Sequence, residues 1–142
     1  MAIVGAFTNA FVLVNAVDLS NHGREIHTAE SRAPVDVTAF GSSYTQELKG
    51  LGEASITVTF LQDFAAGSVH ATLQPLLASN TPIAVEVRAV NAARSATNPA
   101  GVLSNCTLFS YQGIDGAIGD ASMVEAEFRN APPGTGISWL TS

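Results

Sequence analysis

Charge is scarce in this chain. Only 13% of its 142 residues are charged, about half the usual share for a soluble domain, while hydrophobic residues make up 46%. So poor a surface suits a protein that covers much of itself with partners, although Ala, Ser, Thr and Gly also make a neutral surface. The six basic residues form no cluster and face twelve acidic ones, which argues against a groove that neutralises nucleic-acid phosphates. With a net charge of −6, an acidic surface would be useful near DNA only if the task were to repel it. Cysteine is reduced to Cys106 alone, so there is no internal disulfide and no support for an oxidising compartment. No apolar stretch is long enough to cross a bilayer, and no membrane anchor is expected. The apolar start MAIVGAFTNAFVLVNA lacks Lys and Arg, and Thr8 and Asn9 interrupt it, so it does not read as a secretory leader. Internal repeats and low-complexity segments are absent too.

The signatures of catalysis are also missing. There is no G-x-S-x-G, and His22, His27 and His70 are scattered, without the spacing of a nucleophile elbow or a metal site. GIDGAIGD, residues 113–120, lacks the Gly-Lys-Ser/Thr end of a phosphate loop and has too few carboxylates for a calcium loop. Asn105 opens an NCT acceptor sequence, but on a strand and without a leader it carries no glycosylation reading. Glu125 and Glu127 share one strand face about 7 Å apart. That separation can serve a glycosidase, yet without a cleft or aromatic sugar platforms an exposed acidic stripe, softened by Arg129 on the same face, is the better reading. No enzyme, metal or cofactor is expected.

What is present is alternation of period two, the mark of half-buried strands. In EASITVTFLQ, Ala54, Ile56, Val58 and Phe60 share one face, opposite Ser55, Thr57 and Thr59. IAVEVRAV sets Ile83, Val85 and Val87 against Glu86 and Arg88. ASMVEAEFR sets Val124, Ala126 and Phe128 against Met123, Glu125, Glu127 and Arg129. Fainter versions in AFVLVNAV, REIHTAES, VDVTAF, VLSNCTLFSY and ISWL bring the count to about seven or eight strands. Alternation of this kind belongs to antiparallel sheets with one dry face. The expected fold is therefore mostly β, a two-sheet antiparallel sandwich in one domain over residues 1–142.

One segment departs from the pattern. SVHATLQPLLAS places Val69, Leu73, Leu76 and Leu77 at helical spacing behind Ser68 as N-cap. A short helix is predicted over 68–78, with Pro75 kinking it or ending its first part. Residues 91–101, 113–120 and 130–136 read as loops or extended connections. GSSYTQELKGLG, Gly41 to Gly52, stands out as a twelve-residue loop between strands that look like neighbours, and loops of that length are usually functional.

The order of four stretches resembles the short major tail proteins of long-tailed, non-contractile bacteriophages, over roughly residues 15–130. They are VDLS at Val17–Ser20, VTAFG at Val37–Gly41, LKGL at Leu48–Leu51 and QDFAAGSVHATL at Gln62–Leu73. The resemblance implies a β-sandwich with a flanking helix, assembled as hexameric rings that stack into a tail tube for DNA ejection. Such a protein is found in the virion tail and assembled in the host cytoplasm. Its partners would be other copies of itself, tape-measure, tail-tip or baseplate and terminator proteins, and double-stranded DNA passing without specific binding. The loop Gly41–Gly52 matches the one that reaches a neighbouring ring. Tyr44 and Leu48 would anchor it, Glu47 and Lys49 would set register, and Gln46 and Leu51 would add contacts. Six copies would carry about −36 per ring, an acidic bore that repels phosphates. Glu86, Arg88, Glu125, Glu127 and Arg129 are the candidate lumen-facing charges. The end, residues 131–142, lies outside the resemblance and is expected to be an added strand or arm anchored by Trp139. The alternatives are a terminator or head–tail joining ring, a bacterial secretion-tube protein, and a monomeric ligand-binding β-sandwich.

Overall fold

The structure, a computed structural model, describes residues 8–142. The first seven residues of the apolar start lie outside the described residues. Eight strands and one helix follow in the order β1 (Phe11–Val14), β2 (Val17–Asp18), β3 (Gly23–Asp36), β4 (Glu47–Leu61), α1 (Val69–Ala78), β5 (Ile83–Arg88), β6 (Ala100–Tyr111), β7 (Met123–Asn130) and β8 (Ile137–Leu140). No helix among the described residues is long and apolar enough to cross a membrane.

The expected mostly-β antiparallel fold with one helix is observed, but its layers are not separate sheets. All eight strands belong to one sheet in the order β2-β1-β5-β6-β7-β4-β3, with β8 also on β6. The long strand β6 is what joins the layers. Its first residues, Ala100 to Leu103, pair with β5 on one edge and with β8 on the other. Its second half, Cys106 to Tyr111, pairs with β7. Since Asn130 of β7 faces Cys106 and Ile137 of β8 faces Leu103, β8 continues the line of β7 along β6. Within residues 131–142, Ile137–Leu140 form this strand. Register shifts in both the β5–β6 and β6–β7 pairings increase local twist. The sheet curls until its ends meet: only residues 19–22 join β2 to β3, and a Cβ on Gly23 would lie 3.7 Å from Val12.

The alternating residues fill the inside of this curl. Ile56, Val58 and Phe60 of β4, Val124, Ala126 and Phe128 of β7, and Val85 of β5 are fully buried. Each large side chain here contributes roughly 1.5–3 kcal/mol relative to exposure. The helix adds Val69 and Leu73 to the same cluster, while Leu77 is exposed, a correction to its predicted place on the apolar stripe. Ser68 stands at the N-cap, but its hydroxyl makes no capping bond and donates instead to Asp63. The helix runs unbroken through Pro75 for three more residues, which corrects the expectation that it would end its first part there.

Candidate assembly interface

The hairpin of β3 and β4 is the feature that a packed core does not explain. β7 covers β4 only from Ser55 to Leu61, so residues 47–54 and their β3 partners extend past the sheet as a two-stranded ribbon. By strand rise this arm is about 25 Å long. Residues 29–36 and 47–53 are exposed or nearly so on both faces. The sequence assigned Gly41–Gly52 to a loop and VDVTAF to a strand, and both boundaries need correction. The connection is 37–46, and Glu47, Leu48, Lys49 and Leu51 lie in β4, with Asp36, Val35 and Pro34 facing Glu47, Leu48 and Lys49. The reason lies in exposure: a ribbon bare on both sides needs no apolar alternation, so the usual strand signal is missing. Gly50 misled for a related reason. A Cβ there would lie 2.9 Å from the carbonyl oxygen of Ala33, so glycine answers a close cross-strand approach beside a register shift rather than a loop.

The tip is ordered by its own hydrogen bonds. Val37 N–H donates to the Gln46 carbonyl at 2.9 Å, and Gln46 N–H donates to Thr38 Oγ1 at 2.8 Å. Thr38 also donates from its backbone to Asp36. Hydrogen bonds from the side chain and backbone of Thr38 hold the Asp36 carboxyl below its ordinary value. On this frame Phe40, Tyr44 and Leu51 are almost entirely solvent-exposed, at 109%, 85% and 86%, and Leu48 is largely so. Four large apolar groups left exposed together on the arm form a surface made to be covered.

The outward face of β3, β4 and β7 is the second candidate surface. Glu125 and Glu127 lie opposite Thr59 and Thr57, which in turn face Glu25 and His27. Arg129 pairs with Glu127 and its guanidinium sits 5.2 Å above the Phe109 ring. Carboxylates therefore outnumber arginines on this face. Glu86 does not belong with them. It is 6% exposed, and Arg88 and Arg94 bind both its oxygens. Burial alone pushes its carboxyl up, but the bonds from Arg94 and Arg88 and their charge outweigh burial, and the group sits below its ordinary value. Arg88 also stacks on Phe11 at 4.2 Å, and Arg94 reaches the Ser142 carbonyl. These charges are used up inside the subunit. Sequence reading placed Glu86 by alternation, which shows a face but not the two arginines that cover it.

Trp139 anchors β8 within its own chain. Its ring lies against Gly101, where a Cβ would stand 3.1 Å away, and its indole N–H donates to Glu30 at the root of the arm, 3.2 Å away.

One cluster escaped the sequence reading. His22 Nε2 lies 2.9 Å from Asp63 Oδ2, and Ser68 Oγ donates to the same oxygen at 2.7 Å. Ser68 Oγ is also 3.4 Å from His22 Nε2. A catalytic triad needs the two partners on opposite ring nitrogens, so that the imidazole can pass a proton. Here both converge on one nitrogen. The Asp63 carboxyl is held below its ordinary value by the Ala65 backbone N–H first, then by Ser68 and His22. The cluster is a clasp that fixes the β4–α1 connection to the turn before β3. Among the described residues no group of three metal-ligating side chains comes together.

A curled antiparallel sheet with one helix and a projecting hairpin is a fold also found in chains of tail and injection particles. Three solved structures show the likeness. A chain of the virion of a native gene transfer agent particle superposes with a TM-score of 0.68 at 14% identity, over 92% of this chain and 95% of that one. A chain of the tail of an empty gene transfer agent particle, of C6 symmetry, gives 0.62 at 16%, over 83% and 81%. A chain of the sheath–tube complex of an extracellular contractile injection system gives 0.69 at 10%, over 99% and 93%. No protein-family model and no curated protein sequence matches the chain.

Proposed function

We propose that this protein is a structural subunit of a tail tube: copies associate side by side into rings, six to a ring, and the rings stack into a conduit for double-stranded DNA. The observation that carries this reading is the arm of residues 29–36 and 47–53, bare on both faces and tipped by exposed Phe40 and Tyr44. An isolated two-stranded hairpin is marginal in water, so an arm of this length implies a surface that receives it. The carboxylate-rich face of β3, β4 and β7 is the candidate bore, where Glu125 and Glu127 would repel phosphates and bind no DNA sequence. Tape-measure, tip and terminator proteins are the partners such a tube requires at its ends. A non-contractile tail is the reading the sequence resemblance favours, while the fold is common to tails and to a contractile injection particle.

Negative-stain electron microscopy across a concentration series tests this reading. Tubes with a regular ring repeat and an open channel are expected. Rings that never stack would point to a terminator. Monomers at every concentration, with a tail-tip initiator present, would overturn the reading in favour of a ligand-binding sandwich.

A further inference from the structure

At the end of β4 opposite the arm, two connections leave the core together: residues 62–68, which lead into α1, and residues 112–122, which join β6 to β7. They are tied to each other. Gln62 Nε2 donates to the Tyr111 hydroxyl at 3.0 Å and to the Gly113 carbonyl, and His70 Nδ1 lies 2.9 Å from the same hydroxyl. The Phe64 ring tilts against that of His70, with centroids 4.9 Å apart. Within the second connection, Ser122 Oγ donates to the Asp115 carbonyl at 2.8 Å and Asp120 N–H to the Ala117 carbonyl at 3.1 Å. On this base Ile114 and Ile118 are almost entirely exposed and Phe64 is mostly so. Among the described residues the other exposed aromatics outside the arm are already engaged, Phe109 by Arg129 and Trp139 by Gly101.

Charge limits what can cover this end. Asp115 and Asp120 stand exposed beside the isoleucines and form no ion pair among the described residues. On a chain of net charge −6 most of the surface is repelled by them. Residues 37–46, the tip of the arm, carry no charged side chain, and the nearest carboxylates, Asp36 and Glu47, face each other at its base. The tip offers Phe40 and Tyr44 to the isoleucines. It also offers the hydroxyls of Ser42, Ser43 and Thr45 as donors to the two carboxylates, and bonds to a charged acceptor are roughly twice as strong as neutral ones. Both surfaces are ordered by their own hydrogen bonds before they meet, so little freedom is lost on contact. Aromatic side chains bury roughly 150–250 Å² each, so three aromatics and two isoleucines amount to roughly 800 Å² of apolar surface per contact. A stable pairwise interface takes about 1,200–2,000 Å². One such contact leaves two free subunits apart, whereas many made at once between assembled rings hold. The tip precedes Glu47 and the receiving end follows Leu61, so a shift along the strand direction brings one copy's tip to another copy's far end. A contact of that kind is heterologous and does not close on itself, which makes it repeat without limit.

We infer that the arm tip of one copy docks on the far end of β4 in a copy of the next ring, Phe40 and Tyr44 packing on Phe64, Ile114 and Ile118 while the tip hydroxyls donate to Asp115 and Asp120. This rests on the tail-tube reading and names the surface that receives the arm. The test uses two variants, Phe40→p-benzoylphenylalanine and Tyr44→p-benzoylphenylalanine, each assembled from a mixture of isotopically heavy and light chains and then irradiated. Mixed heavy–light crosslinks joining residue 40 or 44 to residues 62–70 or 112–122 are expected. A second measurement uses charge and needs neither variant. Ser43→Asp sets a further carboxylate against Asp115 and Asp120 and raises the concentration needed for tubes about ten-fold, because like charges placed together at an interface cost strongly. Adding Asp115→Asn and Asp120→Asn restores most of that loss. Circular dichroism of each monomeric variant must match the parent chain. Tubes whose crosslinks map elsewhere, or a Ser43→Asp loss that the two asparagines leave untouched, would overturn the receiving surface and leave the tube reading standing. A parent chain that forms no tubes, even with a tail-tip initiator present, would overturn both.

Discussion

Two residues carry local tensions that the rest of the fold sustains. Asn15 and Ala16 form the two-residue turn between β1 and β2 with φ of 48° and 66°, the positive values that a tight hairpin of this kind demands. Asparagine tolerates that region, but alanine does so at a cost of about 1–2 kcal/mol. Ala16→Gly is expected to stabilise the monomer by about 0.5–1 kcal/mol, the strain relief minus the extra freedom glycine has when unfolded, read as a higher urea midpoint. Glu86 carries a second tension. Replacing it with Gln leaves Arg88 and Arg94, 17% and 28% exposed, without their counter-charge. Because these arginines are partly solvated, the expected loss at pH 7 is about 2 kcal/mol, below the range for a fully buried pair. The pH dependence follows from the lowered carboxyl. A folded pKa below the unfolded one gives stability that is complete above the ordinary glutamate value of about 4.3 and disappears as pH falls through the folded one. The gap between parent and Glu86→Gln in urea midpoint should therefore close on going from pH 7 to strongly acidic solution. An equal gap at both ends would show that the ion pairs contribute nothing.

At the level of elements, the arm separates folding from assembly. Tyr44 and Leu51 touch little within their own chain, so Tyr44→Ser with Leu51→Ser should change monomer stability by no more than about 0.5 kcal/mol. The same pair should abolish tubes. Phe128→Ala, inside the curl, should do the reverse and cost the monomer about 3–5 kcal/mol. Thermal melts of dilute protein alongside microscopy of concentrated protein distinguish the two classes. This division also explains what could be read from the sequence. Strands β4 and β7 were visible because one face is dry and the other wet over Ala54–Leu61 and Met123–Asn130, which writes burial into every second residue. The helix was visible because Val69 and Leu73 bury one side of it. The arm was misjudged because neither face is buried within a single copy, so residues 47–52 carried no period to detect. The union of two layers through β6 was hidden as well. It depends on which edges pair with Ala100–Leu103 and which with Cys106–Tyr111, and alternation says nothing about partners. The clasp of His22, Asp63 and Ser68 joins residues more than forty positions apart, a meeting that only the curl of the sheet produces.

For the whole molecule the controlling quantity is a net charge of −6 on every copy. Copies brought together in a ring repel one another, and the carboxylates of the β3–β4–β7 face concentrate that repulsion where subunits would line a bore. Against this stands burial of the exposed apolar groups of the arm, Phe40, Tyr44, Leu48 and Leu51. The two contributions respond differently to salt. Repulsion between exposed charges acts over the Debye length, which shrinks from about 30 Å at 0.01 M to about 10 Å at 0.1 M, whereas close pairs shielded from solvent are screened much less. Apolar burial is strengthened further by sulfate. Raising ionic strength should therefore favour assembly, lowering the protein concentration at which tubes appear several-fold between those two salt concentrations, and sulfate should act more strongly than chloride at equal ionic strength. Light scattering across a protein titration at each salt concentration measures this. Tubes that dissolve as chloride rises would mean that attraction between charges, not the exposed apolar groups Phe40, Tyr44 and Leu51, holds the rings together.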